Sequence, residues 1–94
     1  MIEHKSYFEG AVQSLGFALA DGRKATAGVI SEAREWDFGT AERREEIYVT
    51  SGGITGVDNR FYKSCGSPLV FNKGDSIKFK TSGPVSYLCV YRGD

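Results

Sequence analysis

The stretch from Phe38 to Glu46 carries the residue types best suited to chemistry. Phe38 and Thr40 lie on one face of a predicted strand, because the side chains of a strand alternate with period two. Glu45 stands immediately before the next predicted strand. A carboxylate that faces a protein interior is costly unless it is paired or hydrogen-bonded. An inward Glu45 is therefore a candidate for accepting hydrogen bonds from the hydroxyl groups of a ligand.

The spacing of this stretch resembles the first metal-binding segment of the cupins. That segment has two histidines separated by one residue, followed by a glutamate and then a glycine. The glutamate and the glycine fall here on Glu45 and Gly52, whereas Phe38 and Thr40 occupy the two histidine positions. The spacing of a cupin is thus present, but the metal-binding imidazoles are not.

The orientation of Glu45 depends on the register of its strand. In the cupin orientation it points inward together with Ile47 and Val49. Alternatively, a register slip places it in a solvated turn beside Arg43 and Arg44. The cupin orientation sends three neighbours outward: Glu46, Tyr48 and Thr50.

The second cupin segment supports the same interpretation. Gly66 and Gly74 fall on its spacing, but Asn72 replaces its proline and Ile77 replaces its third metal-binding histidine. The only histidine of the chain is His4, far away in sequence. A divalent first-row metal held by one carboxylate without imidazole or thiolate ligands binds weakly. We therefore predict an interior without a metal ion.

Short strands are the elements that must position these residues. Helical periodicity is nearly absent, and strand signals recur with turn residues between them. One such turn is Asp21-Gly22, a favoured hairpin pair because both residue types tolerate positive φ. About eight or nine short strands predict a barrel or a double-sheet jelly roll. The predicted strands span residues 11–17, 24–30, 35–40, 46–50, 54–57, 61–62, 68–71, 76–81 and 85–91.

Length and composition limit the classes of protein. A chain of 94 residues, 40% hydrophobic, fits one domain over residues 1–94. The formal net charge is zero, which argues against a nucleic-acid partner. The charged N-terminus lacks the apolar core of a signal peptide, and no apolar run is long enough to span a bilayer. These features predict a cytoplasmic protein without a membrane partner, in which the two cysteines, Cys65 and Cys89, stay reduced.

Segments along nearly the whole chain match one protein family in order and spacing. They are Tyr7-Phe8-x-Gly10, residues 14–17, residues 24–29, residues 38–42, residues 45–47, residues 49–52 and residues 86–89. In these segments the chain resembles the bacterial pyrimidine/purine nucleoside phosphorylases, which are small cupins. It departs from them mainly between Gly53 and Thr81, where changes such as Asn72 and Ile77 would reshape one wall of the pocket.

The resemblance implies an activity that fold alone does not imply. It implies phosphorolysis of diverse purine and pyrimidine nucleosides to the free base and a pentose 1-phosphate. Inorganic phosphate would be the co-substrate, and no metal or other cofactor would take part. The resemblance also implies a homodimer.

Within that activity, three residues have hypothetical roles near the sugar. Glu45 would accept hydrogen bonds from the ribose hydroxyls and stabilise positive charge on the sugar. Thr40 would donate a hydrogen bond to phosphate, and Phe38 would offer a ring face to a base of any identity. The candidate phosphate ligands are three basic residues: Arg23, Lys24 and Lys78. Alternatively, each of them is only a solvated side chain at the end of a strand.

The remaining candidate substrate contacts are Ile77 and Tyr87. Phe38 and Ile77 alternatively do no more than fill the barrel. Tyr87 and Tyr91 share a strand face with Cys89, and the sequence leaves open whether they form core, pocket wall or dimer contact.

Two other functions remain open at this point. The first is a non-catalytic cupin that binds a small sugar or nucleotide, which would show tight binding without turnover. The second is a metal-dependent cupin oxygenase or isomerase, which the missing histidines oppose.

Overall fold

A computed structural model describes residues 2–92, which form ten strands, one short 3-10 turn and no α-helix. The strands are β1 (Glu3–Tyr7), β2 (Val12–Ala18), β3 (Lys24–Ile30), β4 (Arg34–Thr40), β5 (Glu45–Ser51), β6 (Gly53–Gly56), β7 (Phe61–Lys63), β8 (Leu69–Phe71), β9 (Ser76–Thr81) and β10 (Val85–Tyr91). The 3-10 turn is Phe8–Gly10. Residues 2–92 therefore contain no helical segment that could span a lipid bilayer.

The strands form two antiparallel sheets that face each other. The six-stranded sheet has the order β1-β2-β3-β10-β5-β8, and the four-stranded sheet has the order β4-β9-β6-β7. Residues 2–92 thus form the predicted all-β jelly-roll barrel. The single-domain prediction covered residues 1–94, of which Met1, Gly93 and Asp94 lie outside the described residues.

The predicted strands agree with β2 to β10, three of them to the residue and the others within one residue at either end. The strand that the sequence did not predict is β1. All five of its residues are exposed, so it has no apolar alternation to reveal it. It is held by backbone pairing with β2, in a register that places Tyr7 opposite Val12.

The predicted hairpin at Asp21-Gly22 joins β2 to β3 as expected. Of the two residues, only Gly22 has a positive φ, 90°. The Asp21 side chain instead accepts a hydrogen bond from the backbone N–H of Arg23, at 3.0 Å. The hairpin prediction was therefore confirmed, and of the two residues only the glycine uses the left-handed region.

Apolar side chains fill the barrel at one end. Trp36 is 2% exposed, and its indole N–H donates to the Thr81 hydroxyl at 2.9 Å. Thr81 in turn donates to the Glu32 carbonyl at 2.7 Å, so the buried indole nitrogen is satisfied. Around Trp36 the core contains Val12, Ile30, Val49, Ile54 and Val85. This filled end closes the barrel and leaves space at the other end.

Candidate functional site

A cavity of about 770 Å³ lies between the two sheets and opens at the barrel end opposite the Trp36 core. Its size is in the range of small-molecule sites, about 300–1,000 Å³. Its walls come from the later residues of β2, β4 and β10 and the earlier residues of β3 and β5, which antiparallel pairing brings to the same end. Side chains from β1, β6 and β9 complete it.

Glu45 lines this cavity together with Ile47, as the cupin orientation required. The alternative, a solvated turn, was wrong because Glu45 is the first residue of β5 and pairs with Phe71 and Tyr91. The Cys89 thiol is 3.6 Å from a carboxylate oxygen of Glu45, a weak hydrogen bond. Burial raises the pKa of Glu45, against the opposing effects of Cys89 and Arg43.

The six-stranded sheet supplies a polar wall, which we define as Glu45, Thr26, Tyr87, Cys89 and Tyr91. The hydroxyls of Thr26 and Tyr91 are 3.5 Å apart, so they constrain each other only weakly. Burial raises the pKa of Tyr87 to about 12, and it also raises the pKa of Cys89 and of Tyr91. All three groups therefore keep their protons at neutral pH and can donate hydrogen bonds. Tyr87 and Tyr91 both line the cavity and both pack against the core.

The Tyr87 ring depends on a glycine for its position. Tyr87 on β10 pairs with Gly28 on β3, and its ring lies across the glycine. A Cβ atom at position 28 would lie 2.6 Å from the Tyr87 hydroxyl oxygen and 2.8 Å from the Gln13 carbonyl oxygen. A side chain there would push Tyr87 away from the sheet and into the cavity.

The four-stranded sheet supplies an apolar wall, formed by Phe38, Ile54, Ile77 and Phe79. Phe38 stacks on Phe79 with ring centroids 5.6 Å apart and forms a T-shaped pair with Phe8, whose centroid is 5.3 Å away. Phe38 therefore packs the barrel and still lines the cavity. Ile77 is 7% exposed, so it too serves both as packing and as wall.

Thr40 also lines the cavity, next to a bulge. The pairing of β4 with β9 shifts between Asp37 and Thr40, and Gly39 has a φ of 90° at this point. The Gly39 N–H donates to the Asp37 carboxylate at 2.9 Å. A bulge redirects a strand end, and here it leaves both Phe38 and Thr40 at the cavity.

Three basic side chains lie at the cavity without an ion pair to any residue in the range 2–92: Lys5, Lys24 and Arg43. Lys24 was a candidate phosphate ligand from the sequence. Lys5 and Arg43 were not, because Lys5 lies in the unpredicted strand β1 and Arg43 in a charged turn. Glu3 and Glu42 also line the cavity, so its mouth carries both signs of charge.

The other two candidate phosphate ligands do not line the cavity. Lys78 alternates with the inward Ile77 and Phe79, so it faces outward, 4.0 Å from Asp37. Arg23 lies in the loop before β3, where its guanidinium is paired with Asp21 at 2.7 Å. The structure therefore separates Arg23 and Lys78 from Glu45, Thr40, Phe38, Lys24, Ile77 and Tyr87, which it brings together.

Behind Glu45, on the outer face of β5, lies a group of hydrogen-bonded side chains that we call the Glu46 clamp: Glu46, Arg44, Arg92 and Tyr48. One Glu46 oxygen accepts from Arg92 at 2.8 Å and from the Tyr48 hydroxyl at 3.2 Å, and the other accepts from Arg44 at 3.2 Å. Glu46 points outward as predicted, yet it is only 7% exposed. Its hydrogen bond with Arg92 is the main cause that lowers its pKa.

The clamp extends to the neighbouring turn through Asn72. The Arg44 guanidinium donates to the Asn72 side-chain oxygen at 2.9 Å, and the Arg92 N–H donates to the Arg44 carbonyl at 2.8 Å. Asn72 stands at the proline position of the cupin spacing, and a proline would lack this acceptor. The clamp thus fixes the chain immediately before Glu45.

The described residues 2–92 contain no group of three His, Cys, Asp or Glu side chains that could hold a metal ion. The positions that carry histidines in the cupin spacing contribute Phe38, Thr40 and Ile77 to the cavity instead. The polar groups available to a ligand are a carboxylate, several hydroxyls and basic side chains.

Comparison with known proteins shows the family of this chain. A family model described as pyrimidine/purine nucleoside phosphorylase matches residues 2–91. The chain belongs to this family. A relative from Pseudomonas fluorescens, named pyrimidine/purine nucleoside phosphorylase, is 37% identical over 97 residues, which cover 99% of this chain and 100% of that protein.

Solved structures agree on the fold. A protein of unknown function from Vibrio parahaemolyticus has a TM-score of 0.84 at 30% identity, with 98% of this chain and 99% of that chain covered. An RmlC-like cupin from Ralstonia eutropha has a TM-score of 0.73 at 11% identity, with 98% and 64% covered. The family member described here thus has a cupin-like fold, as its spacing predicted.

The Glu46 clamp makes stability depend on pH. The folded pKa of Glu46 is below its ordinary value of 4.5, so its contribution is complete above that value and is lost as pH falls through the lowered one. We expect Glu46→Gln to reduce the free energy of unfolding by about 2 kcal/mol at neutral pH. Denaturant unfolding should show this difference shrinking once the pH falls below about 4.5.

The matched control for this measurement is Glu35→Gln. Glu35 forms an ion pair with Lys80 at 3.9 Å, but its side chain is 81% exposed. Such pairs contribute at most about 1 kcal/mol. A Glu46→Gln effect no larger than that of Glu35→Gln, or one that stays constant into acid, would contradict the stabilising role of the clamp.

Proposed function

We propose that this protein catalyses the phosphate-dependent cleavage of purine and pyrimidine nucleosides to the free base and a pentose 1-phosphate. The observation that carries the proposal is the composition of the cavity walls. Glu45 and the hydroxyls of the polar wall face the apolar wall around Phe38, and unpaired basic side chains stand beside them. The names of its relatives support the same reaction.

The reaction replaces one bond to the anomeric carbon by another. The bond from that carbon to the base nitrogen breaks, and its electron pair leaves with the base. A phosphate oxygen bonds to the carbon, and the proton that phosphate loses ends on the base nitrogen. Between these events the sugar carries positive charge, which a nearby carboxylate stabilises. Glu45 is the carboxylate we assign to this role.

Phosphate would bind through Thr40 and the unpaired cations. The Thr40 hydroxyl can donate a hydrogen bond, and Lys24 lines the same cavity from the opposite sheet. We add Lys5 and Arg43 to the candidate phosphate ligands, because both line the cavity. Charged hydrogen bonds to phosphate oxygens are about twice as strong as neutral ones. Two or three such cations would offset the repulsion between phosphate and Glu45.

The base would lie against the apolar wall. Phe38, Ile77 and Phe79 have no side-chain groups that read the hydrogen-bonding edge of a base, whereas any base can stack on an aromatic ring. This wall therefore suits purines and pyrimidines alike. It also gives Phe38 and Ile77 a substrate contact in addition to their packing role.

We further propose that the reaction uses no metal or other cofactor besides the co-substrate phosphate. The residues at the cupin metal positions, Phe38, Thr40 and Ile77, are poor ligands for a divalent first-row metal. Activity should therefore persist in the presence of a strong chelator. Loss of activity that one divalent metal restores would overturn this part of the proposal.

The main experiment is an assay of base release. We expect purified protein to release uracil from uridine and hypoxanthine from inosine only when phosphate is present. Glu45→Gln keeps the shape of the side chain and removes its charge, so kcat should fall by about 100-fold or more. Glu35→Gln, on the outer surface, should retain full activity.

A folded sample that shows no phosphate-dependent release from several nucleosides would contradict the proposed reaction. Tight binding of a sugar or a nucleotide by the same sample would then favour the alternative, a non-catalytic cupin. Full activity of Glu45→Gln would leave the reaction standing and remove Glu45 from the mechanism.

The phosphate ligands can be separated by their effect on the KM of phosphate. Lys24→Ala and Arg43→Ala should each raise this KM by about tenfold, because each removes a charged hydrogen bond. Lys78→Ala should leave it unchanged, since Lys78 lies on the outer face of β9. The control is Lys80→Ala on the same outer face. A large effect of Lys78→Ala alone would restore that residue as the phosphate ligand.

We propose that the homodimer forms through the outer face of the six-stranded sheet. Leu15 on β2 and Val29 on β3 are 46% and 49% exposed there, on neighbouring strands. Apolar area of this kind is covered in an obligate dimer. In sedimentation velocity, Leu15→Glu and Val29→Glu should shift a dimer to a monomer, whereas Lys63→Glu should not. A wild-type protein that sediments as a monomer would refute the proposed dimer.

The cytoplasmic location of the protein stays a prediction from its sequence.

A further inference from the structure

The polar wall contains more hydrogen-bonding groups than the proposed roles of Glu45 and Thr40 use. Tyr91 on β10 and Thr26 on β3 both line the cavity. Tyr91 is the cross-strand partner of Glu45, and Thr26 is the cross-strand partner of Cys89. These side chains come from three adjacent strands, so backbone pairing holds them in place before any ligand binds.

The contact between the two hydroxyls of this wall is long. The Thr26 and Tyr91 hydroxyl oxygens are 3.5 Å apart, and the Cys89 sulfur is 3.6 Å from the Glu45 oxygen. Hydroxyl hydrogen bonds are usually 2.7–2.8 Å long, so the Thr26–Tyr91 contact gains little. The hydroxyls of Thr26 and Tyr91 are thus positioned but largely available to a ligand.

The chemistry of the pair formed by Glu45 and Tyr91 selects the kind of ligand group. An ionised Glu45 accepts hydrogen bonds and does not donate them, whereas a neutral phenol can donate one. A ligand hydroxyl can donate to Glu45 and accept from Tyr91 at the same time. An unprotonated phosphate oxygen and a base carbonyl have no proton to donate to Glu45, and the charge of phosphate is repelled by the carboxylate.

We infer that Tyr91, with Thr26 beside it, binds a hydroxyl of the pentose and makes the protein select its substrate by the sugar. This inference rests on the proposed function, and it adds two specificity-determining residues to that site. The apolar wall does not read the identity of the base. The polar wall reads whether the sugar carries its hydroxyl, since a site built to bind a hydroxyl disfavours an analogue that lacks it.

The test compares uridine with 2′-deoxyuridine and 3′-deoxyuridine in the wild type and in Tyr91→Phe. We expect the wild type to prefer uridine over at least one deoxy analogue by about tenfold in kcat/KM. Tyr91→Phe removes one oxygen atom and should narrow that preference to about twofold or less. It should lower kcat/KM for uridine and leave the value for that analogue nearly unchanged.

The matched control is Tyr62→Phe. Tyr62 packs against the core from β7 and does not line the cavity. Its variant should keep the wild-type preference. An equal loss on all three substrates in Tyr91→Phe would indicate a merely structural role and would overturn the inference. An unchanged preference in Tyr91→Phe would overturn it as well.

Binding without turnover separates this inference from the proposed reaction. Calorimetric titration with the same three nucleosides, in the absence of phosphate, should show the same preference in the wild type and its loss in Tyr91→Phe. If that pattern appears but no base is released with phosphate, the proposed reaction fails and the selection by the sugar stands. If base is released but the preference does not depend on Tyr91, the reaction stands and the inference fails.

Discussion

Two neighbouring carboxylates at the beginning of β5 have opposite surroundings, and the site depends on keeping them apart. Glu45 faces the cavity, and Glu46 faces outward into the bonds of the Glu46 clamp. A slip of one residue in β5 would exchange the two side chains, because side chains alternate along a strand. The ion pairs of Glu46 with Arg44 and Arg92 therefore fix the register that presents Glu45 to a ligand.

The barrel divides its interior between stability and binding. At the closed end, Trp36 is buried with its indole N–H satisfied by Thr81. At the open end, the same strands continue into walls of opposite character, one polar and one apolar. Phe38 contacts both ends, since its ring stacks against Trp36 with centroids 6.5 Å apart and it also lines the cavity. Rigid packing behind a wall residue restricts its side chain before binding, so less side-chain conformational entropy is lost when a ligand binds.

This chain has the fold and spacing of a cupin but different side chains at the metal-binding positions. Where the cupin spacing has histidines, this chain places Phe38, Thr40 and Ile77 in its cavity. At the proline position, Asn72 accepts a hydrogen bond from Arg44 and so joins the clamp. These changes replace imidazole groups by a ring face, a hydroxyl and an aliphatic surface. They suit a ligand that is part planar ring and part polyol.

The sequence by itself determined the strands whose apolar residues alternate, the cupin spacing and the family. It also indicated the inward direction of Glu45, because alternation is a local property that a few consecutive residues express. It could not indicate β1, whose exposed residues show no alternation. Nor could it show that Tyr87 and Tyr91 are cavity wall, since strand periodicity gives a face but not what covers it.

Only the tertiary structure decided which distant residues meet. It brought Lys5 and Arg43 to the cavity and left Lys78 on the outside and Arg23 paired with Asp21. It also buried Glu46, which its pattern placed in solvent, by folding Arg92 from the far end of the chain against it. A charge is free or paired according to neighbours that lie far away in sequence. For that reason the frame of the site could be predicted from the sequence, whereas the pairing of its charged side chains could not.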